Sequence, residues 1–380
     1  MAIRFLHSGD WHIGKPFGRF ADEKAALLRD ARARIPDRLA GLARQHGASA
    51  VLVAGDIFDT ALVADETLRR LLVRFGQYRD VTWHLLPGNH DPATPNGIWH
   101  RFITSGLPEN VRVHTAPGAI GIAPGIELLA SPLRTRHLAH DPTAWMDEHR
   151  SPPDTIRIGL AHGAVQHFGS ADEAGVLIDP RRADRASLDY LALGDWHGLK
   201  EVGPRAWYAG TPEPDQFPAN EPGNVLLVEI ERAGAPPRVT ACPTARYIWT
   251  RHRIEADFRR ALGSLEAELS ALGAGASDRL LAVALVGRVN LEDEATLRDG
   301  LERIGDFAFH LESDLSGLRI DDGKAAGRLF GDAITRAVAE RLGAQAAVDG
   351  EDGKRAAAVA HRALRLLHDI AGRPGSGGAA

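Results

Sequence analysis

Seven side chains with oxygen or imidazole donors stand at the ends of apolar runs. They are Asp10 and His12 in Ser8-Gly9-Asp10-Trp11-His12, Asp56 in Gly55-Asp56-Ile57-Phe58-Asp59, and Asn89 in Pro87-Gly88-Asn89-His90-Asp91. His162 in His162-Gly163 and the pair Asp195 and His197 in Gly194-Asp195-Trp196-His197 complete the set. Residues two apart at a strand end point the same way, so Asp10 and His12 are able to face one cation. Carboxylate, amide and imidazole donors without thiolate suit manganese, iron, magnesium or zinc rather than a closed structural zinc site. Seven donors exceed what one open site needs and suit two cations sharing a carboxylate. Asp56, with two oxygens, is chemically fitted to that bridge. Two cations ~3.5–4 Å apart clamp a phosphoryl group and lower the pKa of a shared water.

The elements that must position these donors alternate along the chain. Ile3, Phe5 and Leu6 predict a first strand, Ala50 to Ala54 a second and Thr82 to Leu86 a third. Between them a long helical pattern runs from Asp22 to His46, with Leu27, Leu28, Ile35, Leu39 and Leu42 on its apolar face and a kink or split expected at Pro36. Another helix is expected near Asp65 to Phe75. Strands alternating with helices imply a parallel sheet with right-handed crossovers, and such sheets bind ligands at the carboxyl ends of their strands. From Val111 to Pro132 the pattern changes to short strands with Gly and Pro turns, followed by a short helix around Trp145. Ile156 to Ala161 and Leu188 to Leu193 follow as strands, and Trp207 to Ala209 with Val225 to Ile230 are expected to close a second sheet. Beyond that, Tyr247 to Ile254, Ala256 to Leu272, Leu280 to Val289, Glu292 to Ile304 and Phe307 to Leu311 read as β-α-β-α-β. Helical segments are expected over Gly331 to Leu342 and Lys354 to Ile370, and the Gly-, Ser-, Pro- and Ala-rich end as disordered.

The ordered blocks Asp10-x-His12, Gly55-Asp56-x-x-Asp59, Gly88-Asn89-His90-Asp91, His162-Gly163 and Gly194-x-x-His197 resemble the calcineurin-like metallophosphoesterases. Within that superfamily, Phe5 to Gly14, Gly55 to Asp59 and Tyr208 to Pro214 look like the SbcD-like DNA repair exonucleases. The resemblance implies an α/β fold in which a two-sheet β-sandwich is flanked by helices, followed by a small α+β capping domain and C-terminal helices. The implied boundaries are 1–245 for the nuclease domain, 246–325 for the cap, 326–371 for the helical segment and 372–380 for the tail. It also implies one metal held by Asp10, His12, Asp56 and His197, and another held by Asp56, Asn89, His162 and Asp195, with manganese the first expectation. His90 would stabilise the scissile phosphate and protonate the leaving oxygen, and Asp59 and Asp91 would orient the groups around it. DNA is the implied substrate, with 3′ to 5′ exonuclease and endonuclease action, a homodimer and an SbcC-like coiled-coil ATPase partner. The chain departs from the family's Gly-His-x-His at Asp195. Three carboxylates against two divalent cations leave a formal charge of +1, which favours the harder cations manganese and magnesium.

Two other readings use the same residues: a phosphodiesterase for a small molecule, and a catalytically weak DNA-binding or scaffold protein with Asp195 as the mark of decay. The length of chain after residue 245 argues against the first, and the intact remaining donors argue against the second. Composition sets broad limits. The 380 residues suffice for two or three domains, and 44% hydrophobic with 25% charged residues is ordinary for a globular protein. A net charge of −5 means that any DNA-binding surface is local rather than global. Lys15, Arg19 and Arg101 are the basic residues near the motifs, and Trp11 and Trp196 read as core beneath the site. The single cysteine, Cys242, excludes an intramolecular disulfide. No run resembles a signal peptide or reaches the ~20 apolar residues of a membrane span, so the expectation is a cytoplasmic chain without membrane contact.

Overall fold

A computed structural model describes residues 2–166, 176–217, 220–320 and 333–346, and 359–367 except 361 and 365. The chain divides into two compact units, Met1–Ile248 and Trp249–Ala380. The first unit holds two six-stranded mixed sheets. One sheet has the order β14 (Arg238–Pro243), β13 (Asn224–Ile230), β1 (Ile3–Ser8), β2 (Ala50–Val53), β3 (Thr82–Leu85) and β4 (Val111–Val113). The other has the order β11 (Lys200–Gly203), β12 (Ala206–Tyr208), β10 (Tyr190–Gly194), β7 (Ile156–His162), β6 (Ile126–Ser131) and β5 (Gly118–Ala123). β1 to β4 run parallel, as do β6, β7, β10 and β12. A two-residue pair, β8 (Ala164–Val165) and β9 (Leu177–Ile178), stands beside them.

The alternation along each strand explains the layers. Phe5, Leu52, Ala54 and Leu86 meet Leu128, Ile158, Leu160 and Tyr190 in a core of inward-facing residues from both sheets. Their neighbours Leu6, Val51, Val53 and Trp83 point the other way, onto Ile35, Leu39, Leu68, Leu71 and Trp99. These last belong to α2 (Ile35–His46), α3 (Asp65–Gln77) and α4 (Ile98–Thr104), which follow α1 (Asp22–Ala33) in the helical layer. The second sheet's outer face packs on a cluster that includes Met146, Ala183 and Leu188, next to the short α5 (Arg182–Arg185). Strands buried on both faces read as continuous apolar runs, which is why the second strand, Ala50 to Val53, shows no alternation in sequence.

Three details differ from the sequence reading. Val225 to Ile230 does not close the second sheet; β13 pairs antiparallel with β1 in the first. Val225, Leu226, Leu227 and Val228 are all buried, so this strand needs cover on both faces, and its place between β14 and β1 supplies it. The long helix breaks at Arg34, and Pro36 sits in the first turn of α2, where its missing N–H costs nothing. Leu27, expected on the apolar face, is exposed, whereas Arg32 shares the buried face of α1 with Ala25, Leu28 and Ala31.

The second unit contains the three-stranded sheet β15 (Ile248–Ile254), β16 (Arg279–Val289) and β17 (His310–Ile320), with α6 (Phe258–Leu272) and α7 (Leu291–Phe307). Leu262, Leu265 and Leu269 of α6 and Leu297, Leu301 and Ile304 of α7 cover Leu281, Val283 and Leu285 of β16. The strand expected over Phe307 to Leu311 begins only at His310, because α7 continues through Phe307. A further helix, α8 (Ala333–Ala346), belongs to the expected C-terminal segment; most of the helix expected over Lys354 to Ile370 and the tail lie outside the described residues. No helix among the described residues is long and apolar enough to cross a membrane.

Candidate metal centre

The predicted donors converge from the carboxyl ends of five parallel strands in two sheets. Asp10 and His12 follow β1, Asp56 follows β2, Asn89 follows β3, His162 ends β7, and Asp195 and His197 follow β10. The loops hold one another in place: Asp10 N donates to the Gly55 carbonyl at 3.1 Å and His12 N to the Asp56 carbonyl at 3.0 Å. To aim inward, Asp10 (φ 53°), His12 (φ 44°), Asp56 (φ 51°) and Asp195 (φ 104°) all take positive φ, a region that side chains other than glycine rarely occupy. Glycines make the room. A Cβ at Gly88 would overlap the Asp56 carboxylate, one at Gly55 the His162 ring, and one at Gly194 the Ala54 carbonyl.

Two clusters of donor atoms result. His162 Nδ1 lies 2.8 Å from the Ala54 carbonyl oxygen, which turns Nε2 inward. Around Nε2 stand Asn89 Oδ1 at 3.1 Å, Asp56 Oδ2 at 3.5 Å and Asp195 Oδ1 at 3.7 Å. Across the pocket, His12 Nε2 faces His197 Nε2 at 3.2 Å and Asp56 Oδ2 at 3.8 Å. One oxygen of Asp56 therefore lies between the two groups. Asp10 accepts the Asp195 backbone N–H at 3.0 and 3.2 Å, and its donors close a triplet with His12 and His197 within 4.8 Å of one another.

With this arrangement established, comparison with known families is decisive. Residues 3–208 match the family model for calcineurin-like phosphoesterases. The chain belongs to that family. Across 97 residues this phosphoesterase is 36% identical to SbcD of the nuclease SbcCD from Escherichia coli K12, a stretch covering 23% of this chain and 21% of that protein. SbcD from Escherichia coli O157:H7 matches with the same identity and coverage. The matched stretch is thus about a fifth of each relative's length.

The family uses divalent metals, and the charges of this phosphoesterase fit them. Burial, with Asp56 and Asp195 close by, pushes Asp10 well above the usual carboxylate range, against the pull of His162. Burial also raises Asp195, partly offset by His162. At His162 burial favours the neutral ring, but Asp56, Asp10 and Asp195 outweigh it and push the imidazole up to about 9. Burial opposes the charge on Asp56 too, yet His162, His12 and His90 hold it below its ordinary value. The pocket draws positive charge to itself, which divalent cations supply. His197, lowered to about 4 by burial and by His12, keeps the neutral ring that a metal ligand needs.

The remaining predicted residues surround this pocket. His90 N donates to Asp56 Oδ1 at 2.9 Å, and its Nδ1 lies 3.1 Å from the Asp59 carbonyl oxygen. The Asp59 carboxylate reaches His12 Nδ1 at 3.4 Å rather than the His90 ring. Asp91 is fully buried and accepts the backbone N–H groups of Ile57, Phe58 and Gly88 at 2.9, 3.0 and 2.6 Å, tying the Asp56 and Asn89 loops together. Trp11 is buried in the core, and Trp196 packs half-buried with Lys200 over its ring.

Sequence reasoning missed the ionic floor beneath the centre. Arg32 is buried and donates to the Trp11 and Glu213 carbonyls, with Asp215 Oδ2 at 3.5 Å. Glu213 accepts Arg38 at 2.6 Å and the backbone N–H groups of Arg246 and Tyr247, both at 2.9 Å, which fixes the loop after β12. Lys15 pairs with Asp215 at 2.6 Å and Arg101 with Asp65 at 2.6 Å, so both already have protein partners. The available signal was Arg32 itself, a charge at helical spacing from Leu28 and Ile35 on an otherwise apolar face.

Proposed function

We propose that this phosphoesterase is a two-cation DNA phosphodiesterase, a 3′ to 5′ exonuclease with endonuclease action from the same centre. It would work as a homodimer with an SbcC-like coiled-coil ATPase, and manganese is the first cation to test. The observation that carries the two-cation reading is Asp56 Oδ2, which lies 3.5 Å from His162 Nε2 and 3.8 Å from His12 Nε2 and so fits a bridge. DNA as the substrate rests on the stretch shared with SbcD of the SbcCD nucleases.

Asp10, His12 and His197 would hold one cation, Asn89, His162 and Asp195 the other, and Asp56 both. Held by these residues, divalent cations would supply charge neutralisation for the phosphate and a more acidic bound water. The chain's own groups do the rest. The Ala54 carbonyl turns His162 Nε2 toward its cation's position, and the Asp59 carbonyl occupies His90 Nδ1, which leaves His90 Nε2 for the phosphate. His90 would hold the proton passed to the leaving oxygen, which needs that nitrogen within hydrogen-bond reach. Asp59 steadies His12, and Asp91 keeps the Asp56 and Asn89 loops at a fixed separation.

The test is cleavage of end-labelled linear duplex DNA in manganese, with Asp56→Ala as control. Removing the bridge is expected to slow turnover by at least about 10³-fold, several kcal/mol of transition-state stabilisation. Intact duplex in the presence of a protein that binds two cations would overturn DNA as the substrate.

A further inference from the structure

Leu62 is the most exposed large apolar side chain among the described residues, 90% open to solvent. A single exposed leucine is ordinary on a protein surface. What sets Leu62 apart is that the backbone on both sides of it is pinned. Asp59 N donates to the Ile13 carbonyl at 3.0 Å, and the Asp59 carboxylate reaches His12 Nδ1 at 3.4 Å. Val63 is buried and lies so close to Gly14 that a Cβ there would come within 2.6 Å of it. Arg101 of α4 spans the tip: one nitrogen donates to the Ala61 and Val63 carbonyls at 2.9 and 3.1 Å, and another pairs with Asp65 at 2.6 Å. Leu62 N donates to Thr60 Oγ1 at 3.2 Å. The loop is held still while the leucine stands out in water.

Its position gives that arrangement a use. Leu62 is three residues beyond Asp59, so their Cα atoms are at most about 11 Å apart. That is about three base-pair steps of DNA. The donors Asp10, His12, Asp56 and His162 are buried, so a scissile phosphate has to enter a recess. A strand freed from its partner enters more readily than one stacked and paired. Phosphates and sugars offer a leucine little apolar surface, whereas the faces of bases do, and apolar side chains inserted at a base step unstack it.

We propose that Leu62 is a wedge that enters the end of a DNA duplex and unstacks the terminal pair, so that one strand reaches the centre. Leu62 meets bases rather than reacting atoms, and it determines which ends are cut. The inference rests on the DNA reading above and adds how a paired end is opened.

The experiment compares kcat/KM in manganese on three end-labelled substrates of one sequence: a blunt duplex, the same duplex with its last three pairs mismatched, and the single strand. Leu62→Ala is expected to lose roughly tenfold on the blunt duplex and nothing on the other two, because mismatching supplies the opening that the leucine otherwise provides. Leu62→Met keeps an apolar side chain of similar reach and is expected to recover most of the loss. Blunt-end cutting unchanged in Leu62→Ala would overturn the proposal and leave the leucine to some other contact, such as a protein partner. An equal loss on all three substrates would overturn it too, since Leu62 would then be a general strand contact. A wild type that cuts none of the three would instead sink the DNA reading, and the wedge with it.

Discussion

Both units of the chain run strands in parallel, yet among the described residues only the first gathers donors at the strand ends. β16 and β17 are parallel along eleven-residue strands, and the polar residue that follows β16, Asn290, simply caps α7 by accepting the Asp293 N–H at 2.7 Å. Four of the seven donors in the same position of the first unit are bent out of ordinary backbone. Of the nine described non-glycine residues with positive φ, four are Asp10, His12, Asp56 and Asp195, while the second unit has one, Asp257 before α6. Each such conformation costs on the order of 1–3 kcal/mol and persists only where the surroundings over-determine it. A polar residue after a parallel strand becomes a cap when it is free to relax. It becomes a candidate ligand when glycines and neighbouring loops force it inward.

The strongest way to break this contrast is Gly194→Ala. The new carbon would overlap the Ala54 carbonyl, the acceptor that orients His162, and would crowd the His162 ring itself. Overpacking on this scale costs roughly 1–3 kcal/mol or more. The expected result is loss of the cation on the His162 side, together with a lower melting transition for the first unit. Metal analysis and calorimetry read the two effects separately. If Gly194→Ala kept wild-type metal content, the glycine cradle would not be what aims the ligands.

Much of the centre was legible because its donors sit in short polar blocks after apolar runs, and Asp10, Asp56, Asn89, His162 and His197 all carry that mark. The two-sheet architecture was legible for the same reason, from alternating strands and helices. What stayed hidden depends on contacts far apart in the chain. Val225 to Ile230 has the same periodicity whichever sheet it joins, and only its pairing with β1 decides. The buried Arg32 is explained by carbonyls at Trp11 and Glu213, 21 and 181 residues away. The glycines read as turns, although at Gly55, Gly88 and Gly194 their missing side chain matters as much as their flexibility.

An effect that leaves the centre untouched and shows only on acidification, again confined to the first unit, comes from His84 and His114. Their rings stack at 2° with centroids 5.3 Å apart, and Nδ1 of one meets Nε2 of the other at 3.1 Å. Burial, reinforced by His114 and Arg112, lowers His84 to about 3; burial and Arg112 lower His114 to about 4. In the unfolded chain both regain the ordinary value near 6.5. As pH falls below ~6.5 the unfolded state takes up protons that the folded state refuses, so stability present above that pH drains away toward pH ~4. The slope is about 1.4 kcal/mol per pH unit for each histidine. Denaturant unfolding of His114→Gln against wild type should show a shallower loss between pH ~6.5 and ~4. Equal slopes would mean that this pair does not titrate with folding.

The smallest effect should carry the opposite sign and fall in the second unit. Gly263 lies within α6 on its exposed side, and a Cβ there meets nothing within 4 Å. No ligand, carbonyl or ring needs the space, and the backbone is helical. The glycine then contributes only its excess unfolded-state freedom, so Gly263→Ala should stabilise α6 by about 0.5–1 kcal/mol. Amide hydrogen exchange in α6 is the measurement, since it reports local opening without depending on how the whole chain melts. Slower exchange in α6 with unchanged metal content would set this glycine apart from Gly194, where the same added carbon is expected to destroy a ligand's aim. Faster exchange would mean that α6 needs its glycine for a reason other than space.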